Sequence, residues 1–207
     1  MTMNRAIAAA LWLGLSALTA GPALPGEAGD AVFAERGPWS LDKDLNWSLQ
    51  VKGPEATGFQ PVKAGSLTLT EVTDPSDQQP VLQLVQKTDT RTRQIGPFPI
   101  SAGDPVLTFF LEQVTRDMAG LTGGSPFYIR NRIKEALFQG GTIDRSGDGA
   151  VASFRPFAQD PNAARMGGFQ TLALTFVLGE DPAQPIRELR AQTEGAQPGY
   201  LNRMALQ

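Results

Sequence analysis

The sequence predicts an α+β fold, a curved antiparallel sheet of about six strands packed on a two-helix insert. Residues that alternate apolar and polar, the period of a half-buried strand, occur on both sides of residues 104–141. Within 104–141 the apolar spacing changes to three and four, the period of a helix. Clusters of Gly, Pro and Asp separate the runs, as turns require.

The chain begins with a stretch that reads as a secretory leader, residues 1–28. Arg5 supplies the positive start, and Ala6 to Ala20 is apolar except for Gly14, Ser16 and Thr19. Gly26-Glu27-Ala28 offers small residues before a cut, which puts the mature N-terminus near Gly29. The apolar run is short against the ~20 residues of a membrane span, and Pro22 and Pro25 follow it. The expected product is a soluble periplasmic or secreted chain, residues 29–207 forming one domain, and not an integral membrane protein after processing.

An acidic linker is expected next, leading to strands over Leu45–Val51, Leu67–Thr70 and Val81–Gln86, with a turn at Asp74-Pro75-Ser76-Asp77. A polar stretch and a Gly96-Pro97-Phe98-Pro99 loop then lead to the helices. Asp104 caps the first helix and Pro105 opens it. Leu107, Phe110, Leu111, Val114, Met118 and Leu121 form its apolar face, widened by Val106 and Phe109, with Thr115 on the polar side. Glu112 and Arg116 pair four residues apart, and Gly123-Gly124 ends the helix. Ser125 and Pro126 start the second helix, whose narrower face is Ile129, Ile133, Ala136 and Leu137, and Gly140-Gly141 stops it. Strands return at Ala150–Phe154 and Leu172–Leu178, the latter the strongest alternation and so expected near the sheet centre. Residues 182–194 are open between helical turn and strand, and Tyr200–Leu206 is expected at an edge.

The chain has no histidine and no cysteine. Ser-His-Asp and Cys-His nucleophile systems are excluded, as are the usual zinc, copper, haem and iron–sulfur sites. No cofactor and no metal are expected. The net charge of −3, unchanged when Arg5 and Glu27 leave with the leader, argues against a nucleic-acid partner. Ser40-Leu41-Asp42-Lys43 has the Ser-x-x-Lys spacing but lacks the companion motifs of that acyltransferase chemistry, so it reads as a loop. Asp144 to Gly149 has the first half of a calcium loop, but Arg155 stands where the bidentate Glu belongs, so it reads as a turn that binds no calcium.

Two sets of residues remain as candidates. Phe109, Phe110, Phe127 and Tyr128 would line an apolar groove between helices and sheet, with an entrance beside Gly123-Gly124. Arg91, Arg93, Arg130 and Lys134 would form an anion site if the two arginine-bearing segments faced each other. The function expected is that of an exported, non-enzymatic cell-envelope protein that binds a lipid, an acyl chain or a segment of an envelope partner in the groove. The alternatives are a carboxylate-dependent hydrolase of envelope polysaccharide, needing two carboxylates across a cleft, and a purely structural interaction protein.

Overall fold

The computed structural model describes residues 26–101, 103–145, 147–195 and 199–207. Residues 1–25 of the stretch expected to be a leader lie outside the described residues. The fold is α+β, with one open antiparallel sheet in the order β4-β3-β2-β1-β9-β8-β7-β6-β5. The strands are β1 (Leu45–Lys52), β2 (Val62–Thr73), β3 (Pro80–Lys87), β4 (Thr92–Pro99), β5 (Thr142–Asp144), β6 (Ala150–Phe154), β7 (Ala173–Leu178), β8 (Glu188–Gln192) and β9 (Leu201–Leu206). Three α-helices lie among the described residues, α1 (Glu27–Val32), α2 (Pro105–Thr122) and α3 (Pro126–Gln139).

The expectation of about six strands and two helices is therefore too small. Among the described residues nine strands form the sheet. β5 has only three residues, β8 lies in the segment left open, and β4 was hidden by Gly96, Pro97 and Pro99 within it. The architecture is two meanders joined back to back. The first runs outward from β1 to β4; the second starts at the far edge and returns from β5 to β9. β9 pairs with β1 through Trp47↔Leu206 to Lys52↔Leu201, so the chain's last strand closes the centre of the sheet rather than an edge. β7 is interior but third from the β5 edge, not central.

Both long helices start and stop where their caps predict. The Asp104 carboxylate accepts from the Val106 and Leu107 N–H groups at 2.9 and 3.0 Å. Ser125 caps α3 through the Tyr128 N–H, and Gly123 ends α2 with φ 68°, a conformation that favours glycine. The buried face of α2 includes Val106, Phe109, Phe110, Val114 and Met118 as expected. Thr115 corrects the expectation of a polar side. It is buried, and its hydroxyl donates to the Leu111 carbonyl at 2.8 Å, so burial leaves no polar group unsatisfied.

The stretch expected to be a linker is part of the core. Ala28, Val32 and Trp39 are buried, and Ala28 and Gly29, where the cut is expected, sit inside α1. A Cβ on Gly29 would lie 2.0 Å from the Leu137 carbonyl oxygen, so α1 packs on α3 at a distance only glycine permits. Arg36, 2% exposed, donates to the Val32 and Gln184 carbonyls and lies 3.8 Å from the Asp104 carboxylate, tying α1, the β7–β8 connection and the start of α2 together. No helix among the described residues is long and apolar enough to cross a membrane.

Candidate functional site

The two meanders meet α2 differently, and the difference places the candidate site. Over β6–β8 the space is filled. Phe110 packs edge-on to Phe176, and Phe176 edge-on to Phe154, with ring centroids 5.9 Å apart in both pairs and all three rings buried. Over β3–β4 the inward side chains change character along the strands. β3 presents Leu82 and Leu84 and then Gln86; β4 presents Phe98 and Ile95 and then Arg93, which stands opposite Gln86 in the ladder. A bulge at Gly96 and Pro97 keeps Phe98 on the same side as Ile95 and Arg93. α2 changes in parallel, from Phe109 to Gln113, Arg116 and Asp117, residues three and four apart. Helix and strands thus turn from apolar to polar in the same direction.

At the polar end lies a cleft of about 280 Å³ bounded by Arg91, Arg93, Arg116, Gln86, Gln113 and the loop around Phe59. The Thr88–Arg91 turn is held by the Thr88 hydroxyl, which accepts from the Arg91 N–H at 3.2 Å. The Asp89 carboxylate accepts from the Lys63 N–H at 2.8 Å and so fixes the turn to the start of β2. Arg93 donates through Nε to Gln86 Oε1 at 2.6 Å, and its guanidinium lies 5.7 Å from the centre of the Phe109 ring. Burial, and then the like charges of Arg91 and Arg116, push the Arg93 guanidinium below its ordinary pKa. Among the described residues no carboxylate pairs with Arg91 or Arg93. Glu112 is shared between Arg116 at 3.1 Å and Arg130 at 2.9 Å.

Among the described residues Asp117 is the single carboxylate lining this cleft. Its two oxygens are already engaged, one by the Tyr200 hydroxyl at 2.8 Å and the other by the Gln113 amide at 2.7 Å. Burial raises its pKa against those hydrogen bonds, and burial together with the Asp117 charge pushes the Tyr200 phenol well above its ordinary value. Asn202, fully buried in the neighbouring β9, lies close enough to favour the Asp117 carboxylate, while its amide makes no hydrogen bond of normal geometry. The arrangement presents guanidinium and amide donors to an anion and offers no free base beside them.

Of the residues expected in an anion site, the structure brings Arg91 and Arg93 together and adds Arg116, Gln86 and Gln113. It sends Arg130 to Glu112 and leaves Lys134 exposed on α3. The residues expected in an apolar groove also separate. Phe110 is in the filled core at 0% exposure, and Phe127 is 71% exposed. Phe109 lines a second cleft of about 220 Å³. Tyr128 lines a third, about 330 Å³, beside Gly123-Gly124, where its hydroxyl donates to Asp160 at 2.8 Å. An i, i+3, i+4 reading of Gln113, Arg116 and Asp117 could have marked the polar face of α2; nothing local says that it meets Arg93.

Ser40 and Lys43 are exposed in a loop before β1. Arg145 pairs with Glu27 at 3.1 Å, which ties it to α1, and the Arg187 guanidinium donates to the Asp148 carbonyl, which ties Asp148 to the residue before β8. Among the described residues no cluster of three or more Asp or Glu is placed to hold a metal. No model of a known protein family matches this chain, and no curated protein matches it.

Proposed function

We propose that this chain is an exported, non-enzymatic binding protein of the cell envelope that holds an anionic ligand in the cleft between α2 and the β3–β4 hairpin. One observation carries the reading: Arg91, Arg93 and Arg116 converge on one cleft, and neither Arg91 nor Arg93 has a carboxylate partner among the described residues. Like charges held together at a partly desolvated site favour an anion between them. Export rests on the leader-like run from Arg5 to Ala20. The hydrolase alternative is disfavoured in this cleft, because Asp117 has no second carboxylate beside it and both its oxygens are bonded.

Calorimetric titration with inorganic phosphate tests the binding. The Arg91→Gln/Arg93→Gln double variant is expected to lose at least tenfold in affinity, since charge-assisted hydrogen bonds contribute about 1.5–3 kcal/mol each. Unchanged binding in a folded double variant would remove the reading. Export is tested separately by fractionating cells that express the full chain; an intact Met1 in the cytosol would overturn it.

A further inference from the structure

We propose that the ligand is an amphiphile, with its anionic head among Arg91, Arg93 and Arg116 and its apolar chain along Ile95, Phe98 and Phe109. The inference rests on the anion-binding reading above and adds the nature of the rest of the ligand. The second cleft, about 220 Å³, shares Arg93, Gln113 and Arg116 with the first, so the two meet at the arginines. Beyond that junction its walls are Ile95, Phe98 and Phe109, with Thr108 and with Glu112, whose carboxylate is held by Arg116 and Arg130. A polar cleft and an apolar one that share three side chains match a molecule with one charged end and one apolar end.

The chain explains why the two clefts adjoin. β4 places Arg93, Ile95 and Phe98 on one face, and α2 places Phe109 and Gln113 one turn apart above them. Ile95 and Phe98 remain half-buried at the outer strand, because α2 covers only one side of them and β4 has no further strand beyond it among the described residues. The Arg93 guanidinium over the Phe109 ring marks the boundary between the ends. An acyl chain laid there would remove from water the apolar surface that the edge of the sheet leaves open. The source of the head group is set by chemistry alone: a phosphate monoester and a carboxylate both suit guanidinium donors.

Titration of the folded protein with inorganic phosphate, butyl phosphate, octyl phosphate, octanoate and octanol, each below its aggregation concentration, tests the proposal. Affinity is expected to rise about threefold to fourfold per buried methylene from phosphate to octyl phosphate. Phe98→Ser should flatten that rise and leave binding of inorganic phosphate unchanged; Ile95→Thr is the milder variant if Phe98→Ser does not fold. Equal affinity for inorganic phosphate and octyl phosphate would overturn the amphiphile and leave the anion reading standing. Octanol binding as tightly as octyl phosphate would overturn the anionic head. Binding of no probe at all would overturn both. Octanoate binding more tightly than octyl phosphate would assign the head to carboxylates, and octanoate failing would assign it to phosphates.

Discussion

The two halves of the sheet lie under the same helix, yet one is sealed and the other is not. On the β6–β8 side α2 packs Phe110 edge-on against the buried Phe176 ring, and the neighbouring strands supply Leu174 and Leu189 at 0% exposure. On the β3–β4 side the same helix meets Gln86 and Arg93 with Gln113 and Arg116, and clefts remain. The difference arises from covering. β6 and β7 are flanked by further strands and overlaid by α1, which itself packs on α3, whereas β4 is the last strand of its meander. Side chains with neighbours on every side pack to crystal-like density; those at a sheet edge keep one face in water and can hold charge there. Closed packing and open clefts are thus divided between the two faces of α2.

The strongest test of that division is a pair of adjacent substitutions. Phe110→Ala empties a closed site and is expected to cost about 3–5 kcal/mol, a fall in melting temperature on the order of 10 °C. Phe109→Ala opens the wall of a cleft that already reaches solvent and is expected to cost about 2 kcal/mol or less. Equal thermal shifts for the two variants would break the comparison.

A smaller effect, of known sign, comes from Asp117. Burial raises its folded pKa above the ordinary value of 3.8. A raised folded pKa makes its contribution fully available only below that ordinary value, and stability is lost as pH rises through the folded pKa. Asp117→Asn removes this loss, and an asparagine oxygen can still accept from the Tyr200 hydroxyl. Chemical denaturation across pH 4–7 should therefore show the wild type losing stability relative to the variant as pH rises. A difference that is flat with pH, or that grows in the wild type's favour, would mean that the carboxylate is stabilised where it stands.

The smallest effect is expected at Arg130, whose side chain is 43% exposed in its pair with Glu112. Arg130→Ala should cost at most about 1 kcal/mol, as exposed ion pairs do. It should also leave phosphate affinity within about twofold, because Arg130 lines neither cleft and its charge is screened by solvent. A loss as large as that of the Arg91/Arg93 double variant would extend the site onto α3 and sharpen the boundary drawn here.

By itself the sequence determined the features that depend on near neighbours. Asp104-Pro105 and Ser125-Pro126 start helices because a side-chain oxygen reaches an N–H two or three residues on, wherever the helix lies in the protein. The alternation in Leu45–Val51 and Ala150–Phe154 made strands for a reason equally local. Tertiary structure decided the rest. β9 looked like an edge because nothing in Tyr200–Leu206 names its partners; its central position follows from pairing with β1, some 150 residues earlier, and with β8. α1 looked like leader and linker because its apolar residues are few, and their burial comes from α3 and β5–β7. Arg91 and Arg93 were legible as candidates, but Arg116 joined them only when the β3–β4 register and the path of α2 brought three separate segments together. Convergence of like charges costs energy locally and carries no local signal; it persists because the packed half of the molecule holds those segments in place.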